Sequence, residues 1–333
     1  MSEAKGILIV GETIEEKIAP ITAELLGCGR KLADELGEPL FGALIGSDVS
    51  GIAQELIALG ADTVYTADNP ILQNYQTDTY TQVMEKMCKD ISPRYVLMGQ
   101  TTIGRDLSPR LAFRLNTGLS TDCVDLKIDP QGKGLLQTRP VYGGNAQAIF
   151  AVENKYPQIA TIRSKAFSPL APDTTRQGNV IPVAIEIDTS KVKTKFVRKV
   201  KEEVTGVKLE DAKAVVTGGR GIGGPDGFKQ LEELAAILGG AVGATRPPCD
   251  NAWVPSTWQV GLTGKIVTPE LYIAVGVSGA SQHLAGCSSA KNIVAINKDP
   301  DANIFKEARF GVVGDYKQVL PAFTQKIKSL LDK

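Results

Sequence analysis

The glycine-rich segment Gly219–Gly224 has the spacing G-x-G-x-x-G and directly follows a predicted strand at Ala214–Thr217. Such a loop brings backbone N–H groups close to a pyrophosphate, and the N-terminus of the next helix adds positive potential. The next predicted strand, Ala241–Ala244, ends in Thr245 and Arg246 and lacks the acidic residue that binds the ribose of NAD. The segment therefore indicates either a phosphate-binding loop or a turn that binds no ligand.

A second polar group of residues, Val277–His283, follows a predicted strand at Leu271–Val277. In an open parallel sheet, the carboxyl ends of the strands form the ligand-binding edge. His283 is the only histidine in the chain, which excludes a multi-histidine metal site and leaves it as the one base for any Ser-His or Cys-His enzyme. The residue is either an ordinary packed histidine or a ligand contact.

Three further polar residues fall at the same predicted edge. Asn297 ends a strand at Ile293–Asn297, Asp315 follows a strand at Phe310–Val313, and Arg246 follows Ala241–Ala244. Asn297 and Asp315 are also common turn formers, which hydrogen-bond to their own backbone. Arg246 either faces a negatively charged ligand or forms a surface ion pair with Asp250.

The elements that position these residues alternate between strand and helix. Apolar residues recur at helical spacing after Pro20, from Ile21 to Leu36, and in the last helix from Leu320 to Leu331. This alternation predicts an α/β protein with two doubly wound parallel-sheet domains, the second of them Rossmann-like. In the first domain the predicted strands are Ile7–Val10, Leu40–Ile45, Thr63–Tyr65 and Tyr95–Met98. The predicted helices are Ile52–Leu59, 77–90 and Arg105–Leu115.

The middle of the chain has a different pattern. From Val124 the apolar period changes to two, which predicts short antiparallel strands up to Ile187 with turns at Asp129–Gly132 and Tyr142–Asn145. A basic run between Lys191 and Lys201 follows and predicts a charged, exposed strand between domains. We therefore expect an N-terminal domain at 1–190, a linker at 191–205 and a C-terminal domain at 206–333.

Composition narrows the class of protein. The chain has 37 basic and 37 acidic side chains, so its charge does not favour a nucleic-acid partner. The five cysteines contain no C-x-x-C pair, and no apolar run reaches the length of a membrane span. We therefore expect a cytoplasmic protein without a disulfide framework or a metal site.

The C-terminal part resembles the electron transfer flavoprotein alpha subunit family. The resemblance is carried by residues 271–286 with the sequence LYIAVGVSGASQHLAG, by Ile293–Asn297, and by shorter matches over residues 210–333. Those shorter matches are Gly218–Gly221, Gly243–Arg246, Gln259–Gly264 and Asn297–Pro300. Residues 1–190 match more loosely, as the variable nucleotide-binding-like domain of that family.

The resemblance implies that the C-terminal domain holds FAD. By motif, Arg220 would contact the diphosphate, Arg246 would lie against the isoalloxazine, and Thr263 would bond to its N5. His283 would lie at the C2 carbonyl, where a donor or a cation stabilises the reduced ring. The full set of implied cofactor contacts is Arg220, Thr245, Arg246, Gln259, Val260, Gly261, Leu262, Thr263, Ser278, Gly279, Ala280, Ser281, Gln282, His283, Asn297, Asp315 and Tyr316.

The resemblance further implies a heterodimer with a beta subunit and electron transfer to or from an acyl-CoA dehydrogenase or a similar redox partner. The chain would then be a carrier subunit, with NADH-dependent bifurcating activity only within a complex. Two other functions remain open from the residues. One is an NAD(P)-dependent dehydrogenase with Arg246 at a 2′-phosphate and His283 as acid and base, and the other is a non-redox adenine-nucleotide module.

Overall fold

The computed structural model describes residues 4–15, 17–132, 134–144, 146–153, 155–198 and 207–331. Contacts divide the chain into two compact units, Met1–Pro140 with Gln147–Lys199, and Val141–Ala146 with Val200–Lys333. Within the described residues, no helix is both long and apolar enough to cross a membrane.

The first unit is built on a seven-stranded sheet with the order β12-β5-β4-β1-β6-β11-β7, and its paired strands run parallel. Small sheets, β2-β3 and β10-β9-β8, accompany it. The strands are β1 (Ile7–Gly11), β2 (Thr13–Ile14), β3 (Lys17–Ile18), β4 (Leu40–Gly46), β5 (Thr63–Asp68), β6 (Tyr95–Gly99), β7 (Leu119–Cys123), β8 (Asp125–Ile128), β9 (Leu135–Val141), β10 (Ala146–Phe150), β11 (Gln158–Ile162) and β12 (Asn179–Pro182). The helices are α1 (Pro20–Leu36), α2 (Ala53–Ala58), α3 (Thr77–Ile91) and α4 (Thr102–Arg114).

Helix α1 shows why these residues form these elements. Pro20 occupies its first turn, where a missing N–H costs nothing, and Gly37 ends it in the left-handed region with φ 63°. Its apolar stripe, including Leu25 and Leu32, is buried against the sheet. Apolar clusters on both faces of the sheet make the strands buried on both sides, as parallel strands require.

Two expectations for the middle of the chain are wrong. Among the described residues, only β8, β9 and β10 form a separate sheet there, whereas β11 and β12 return to the large sheet as parallel strands. Strand β11 belongs to the large sheet because all five of its residues are buried and it pairs with β6 on one side and β7 on the other. The basic run forms no strand at residues 192–198, because the Lys193 N–H donates to the Asp78 carboxylate at 2.9 Å and not to a neighbouring strand. Asn145, Lys199 and Lys201 lie outside the described residues.

The second unit holds a five-stranded, wholly parallel sheet with the order β14-β13-β15-β16-β17. This confirms the expectation of two α/β units with doubly wound parallel sheets. The strands are β13 (Ala214–Gly218), β14 (Ala241–Ala244), β15 (Leu271–Val275), β16 (Ile293–Asn297) and β17 (Phe310–Val313). The helices are α5 (Phe228–Ile237), α6 (Arg246–Asp250), α7 (Ser281–Leu284), α8 (Ile304–Glu307) and α9 (Tyr316–Leu331).

Candidate cofactor site

The strand order of the second sheet places a crevice at its carboxyl edge. The chain runs from β13 to β14 on one side and then returns to β15 on the other side of β13. The connections on either side of this switch point leave a gap between the ends of β13 and β15, where ligands of such sheets bind. The loops after these two strands carry the glycine segment and the polar residues that precede α7.

The glycine loop uses its backbone amides inside the protein. The N–H of Gly219 donates to the Val275 carbonyl at 2.9 Å, and that of Gly221 donates to the Gly276 carbonyl at 3.0 Å. A Cβ on Gly219 would lie 2.1 Å from the Gly276 oxygen, so only glycine allows the two loops to approach this closely. The loop therefore does not present these two amides as a phosphate cradle, and its glycines instead allow backbone to pack against backbone.

A cavity of about 740 Å³ opens at this edge and has the size of a typical cofactor pocket. It borders the ends of β14, β13, β15 and β16, which span roughly 14 Å at the usual strand spacing. The lining residues that the sequence implied are Arg220, Thr245, Arg246, Gln259, Val260, Gly261, Leu262, Thr263, Ser278, Ala280, Gln282, His283 and Asn297. Gly279 and Ser281 are not among its lining residues.

Positive charge predominates on the cavity wall. Among the residues that the structure describes, Arg220, Arg246 and Lys298 line it, against the one carboxylate of Asp299. Arg246 is exposed and also pairs with Asp250 across one turn of α6, with Nε 3.1 Å from Oδ2. The structure therefore confirms the surface ion pair and also places the guanidinium at the cavity, whereas its contact with a negatively charged ligand stays a prediction.

The loop from Gln259 to Lys265 forms one wall and is anchored at both ends. The Val260 N–H donates to the Ala244 carbonyl at 2.9 Å, and the Lys265 N–H donates to the Gln259 carbonyl at 2.7 Å. The Gln259 side-chain amide donates to the Thr263 hydroxyl oxygen at 2.8 Å. Because that oxygen already accepts a bond, the Thr263 proton is left to donate to an acceptor in the cavity.

His283 differs from the expectation of a free donor or a cation. Its Nδ1 lies 3.0 Å from the Val260 carbonyl oxygen, and its Nε2 lies 3.0 Å from the Tyr272 hydroxyl. Burial lowers the pKa of the imidazole to about 4, which keeps the ring neutral near pH 7. The ring therefore borders the cavity with both nitrogens bonded inside the protein, and it offers the cavity no free nitrogen for the acid and base role of a dehydrogenase.

Asn297, Asp315 and Tyr316 act mainly within the protein. The Asn297 amide donates to the Val277 carbonyl at 2.8 Å, and the Asp315 carboxylate accepts the Lys317 N–H at 2.9 Å at the start of α9. The buried Tyr316 hydroxyl donates to the Ile222 carbonyl at 2.8 Å. Asp315 and Tyr316 border a smaller cleft of about 170 Å³, and Asn297 borders both.

The corresponding edge of the first sheet is closed by a side-chain hydrogen bond between the segments that follow β1 and β6. Glu12 follows β1 at the switch point between β1 and β6, and the Thr101 hydroxyl donates to its carboxylate at 2.6 Å. Thr22 is also bonded to Glu12, because its hydroxyl donates to the Glu12 carbonyl at 2.9 Å and accepts the Glu12 N–H at 2.8 Å. Burial raises the pKa of the Glu12 carboxyl. A carboxylate in this position repels the phosphates of a nucleotide.

Comparison with known proteins gives the family. Residues 7–188 match the electron transfer flavoprotein domain, and residues 208–288 match the electron transfer flavoprotein FAD-binding domain. The chain is 48% identical over 330 residues to an electron transfer flavoprotein subunit alpha of Thermoanaerobacterium thermosaccharolyticum, covering 99% of this chain and 100% of that protein. It is 44% identical to the subunit alpha of Megasphaera elsdenii, covering 98% of each chain.

The chain belongs to the electron transfer flavoprotein alpha subunit family. It is also 36% identical over 318 residues to the subunit LctC of a lactate dehydrogenase (NAD(+),ferredoxin) of Acetobacterium woodii, covering 95% of this chain and 75% of that protein. The expectations of FAD as cofactor and of a beta subunit as partner are confirmed. As an electron transfer flavoprotein alpha subunit, the chain carries FAD and passes electrons.

The cavity of this alpha subunit suits FAD by its chemistry. Its cationic side chains suit the negative charge of a diphosphate, and apolar groups such as Val260, Leu262 and Val277 offer surfaces for a flat ring. Sequence reasoning missed Lys298 and Asp299, which line the cavity directly after Asn297. Their position after a parallel strand is the signal that would have identified them.

Proposed function

We propose that the FAD of this alpha subunit lies in the 740 Å³ cavity, with its isoalloxazine toward Arg246 and the Gln259–Lys265 loop. The diphosphate then lies toward Arg220 and Lys298. The observation that carries the proposal is the excess of cations around a pocket at the switch point of the sheet. Arg220 and Lys298 are exposed and have no ion-pair partner among the described residues, so their charges are available to phosphate oxygens.

When bound, FAD supplies the chemistry of accepting and releasing electrons, and the protein supplies orientation and charge. Arg246 would hold a positive charge beside the bound ring and would favour its reduced form. Thr263, whose oxygen accepts a bond from Gln259, would donate its proton to an acceptor of the ring. The neutral His283 contributes shape and not charge, because both of its nitrogens are engaged.

Removal of single cations tests this placement. In the complex of the full chain with the beta subunit, Arg220→Ala and Lys298→Ala should each raise the dissociation constant of FAD by roughly three- to tenfold, the effect of about 1 kcal/mol. Lys306→Ala is the matched control, because Lys306 is exposed on α8 and does not line the cavity. Equal affinities for all three variants would place the diphosphate elsewhere.

We further propose an acyl-CoA dehydrogenase or a similar enzyme as the electron partner, in the cytoplasm, with domains at 1–190 and 206–333 joined by a linker at 191–205. The family matches, which end at 188 and begin again at 208, support this division. Free thiols at the five cysteines favour a reducing compartment.

A bifurcating complex is a second candidate, favoured by the similarity to LctC, whose name includes both NAD(+) and ferredoxin. Anaerobic addition of NADH to the complex separates the two functions. Bleaching of the flavin by NADH alone supports the bifurcating type. Bleaching only by a substrate-reduced acyl-CoA dehydrogenase supports the simple carrier.

A further inference from the structure

A buried polar chain runs from the floor of the cofactor cavity into the core of the second unit. Tyr272 lies on β15 and is fully buried, and its hydroxyl is 3.0 Å from Nε2 of His283. The other ring nitrogen, Nδ1, is 3.0 Å from the Val260 carbonyl oxygen. These two bonds connect the central strand of the sheet to the loop that forms one cavity wall.

The direction of the two bonds follows from what each group can donate. A carbonyl oxygen only accepts, so Nδ1 must carry the proton that reaches Val260. In a neutral ring Nε2 is then the acceptor, and the Tyr272 hydroxyl is the donor. Burial raises the pKa of Tyr272, so the phenol keeps the proton that it donates.

We infer that Tyr272 is a positioning residue, because its hydroxyl donates to Nε2 of the neutral Nδ1–H tautomer that the Val260 carbonyl selects, and the ring held in this way keeps the Val260 carbonyl, and with it the Gln259–Lys265 loop, at the cavity wall. In the opposite tautomer, a lone pair on Nδ1 would face the Val260 oxygen and the contact would become repulsive. The loop is also bonded to α7, because the Leu262 N–H donates to the Gln282 carbonyl at 2.8 Å. Release of Val260 would therefore loosen a wall that carries Thr263.

Among the described residues, no charged side chain lies where it would stabilise a protonated His283 ring. The titratable groups packed near it are Tyr272 and Cys287, whose thiol donates to the His283 carbonyl at 3.6 Å. Burial raises the pKa of Cys287 to about 12, so this thiol is uncharged near pH 7. Glu307 acts on Cys287 from α8 and does not contact the imidazole.

A single histidine makes the test direct. The full chain is labelled with ¹⁵N-histidine, purified through a histidine-free tag and combined with unlabelled beta subunit and FAD. All labelled ring signals then come from His283, and they show which nitrogen carries the proton. We expect one protonated and one unprotonated ring nitrogen, with the proton on Nδ1, both before and after FAD is added.

Tyr272→Phe removes only the hydroxyl. We expect the Nε2 signal to shift, because Nε2 loses its donor, and the titration midpoint of the ring to rise by roughly 0.5 to 1 pH unit, because the neutral form loses one hydrogen bond. Tyr316→Phe is the matched control, since it removes another buried phenol hydroxyl of the same unit, bonded to Ile222. Its His283 signals should match those of the wild type.

Three results would overturn the inference. They are a wild-type proton on Nε2, a cationic ring at neutral pH, or unchanged ring signals in a folded Tyr272→Phe complex. If that variant does not fold, the tautomer of the wild type still decides, because only the Nδ1–H form requires the phenol as donor. The ring measurement is independent of which electron partner the complex uses.

Discussion

The two parallel sheets of this chain differ at the same topological position, the crevice at the switch point. In the first sheet, the Glu12 carboxylate accepts a hydrogen bond from Thr101 across the crevice and so closes it. In the second sheet, Gly219 and Gly276 bring two loops into backbone contact, and a cavity with three cations opens beside them. One architecture therefore yields a closed, acidic edge and an open, basic edge through a few residues at the strand ends.

A ligand site in this fold therefore depends on the residues at the end of each strand and not on the sheet itself. The first edge carries a carboxylate whose pKa burial raises, and such a group opposes an anionic ligand. The second edge has small residues next to the backbone and cations at its rim. Substitutions at the two edges should accordingly differ in their effects on FAD binding and on the free energy of unfolding.

The largest expected effect is that of Gly219→Ala, which disturbs the contact between the two loops at the open edge. The new Cβ would lie 2.1 Å from the Gly276 oxygen and 2.7 Å from its carbonyl carbon, so one of the loops must move. We expect the free energy of unfolding of the second unit to fall by about 2 to 3 kcal/mol, with weaker FAD binding. Denaturant titration and FAD fluorescence measure both quantities.

Gly224→Ala is the matched control for this substitution. A Cβ at Gly224 meets no atom within 4 Å, and the backbone there is extended with φ 164°. It should leave stability and FAD affinity nearly unchanged. A Gly219→Ala protein as stable as the control would mean that the contact between the two loops is not required.

The next effect concerns the charge of the open edge. Arg246 is exposed and paired with Asp250, so its interaction with the ring is screened. A unit charge pair at about 4 Å in water is worth about 1 kcal/mol. Since ~1.4 kcal/mol corresponds to ~59 mV for one electron, Arg246→Ala should lower the one-electron potential of bound FAD by about 40 mV.

Asp250→Asn tests the same charge in the opposite direction. The substitution removes a negative charge and frees the guanidinium, so the potential should rise by less than Arg246→Ala lowers it. Spectroelectrochemical titration of the complex gives both values. Equal potentials in all three proteins would show that Arg246 serves only its surface ion pair.

The smallest effect is expected at the closed edge. Burial raises the pKa of Glu12 above its ordinary value of 4.5, so this group favours folding below that pH and loses its contribution as pH rises through the folded pKa. Glu12→Gln keeps an acceptor for Thr101 but removes the titration. We expect the stability of the first unit to decline less between pH 4.5 and neutrality than in the wild type.

Unfolding followed at pH 5 and pH 7.5 checks this difference. Glu55→Gln is the control, because Glu55 is exposed on α2. An identical pH dependence in Glu12→Gln and the wild type would mean that the Glu12 carboxyl does not titrate with folding at the closed edge.

The strand ends that form the site could be predicted from the sequence, because apolar runs such as Ile293–Asn297 and the small residues after them are local signals. The return of β11 to the large sheet could not, since its partners β6 and β7 come from elsewhere in the chain. The same applies to His283, whose bonds to Tyr272 and Val260 depend on side-chain packing. The spacing of the glycines indicated that backbone groups approach each other closely at this loop. It did not indicate that the Val275 and Gly276 carbonyls would accept the N–H groups of Gly219 and Gly221.

Two bulky substitutions distinguish whether the second edge or the first holds the cofactor. Ser278 and Thr13 are both exposed and follow a strand at the switch point of the second and first sheet, respectively. In the complex with the beta subunit, Ser278→Trp should raise the dissociation constant of FAD from this chain at least tenfold, whereas Thr13→Trp should leave it unchanged. Unchanged binding in Ser278→Trp, or a loss of binding in Thr13→Trp, would contradict the assignment of FAD to the second edge.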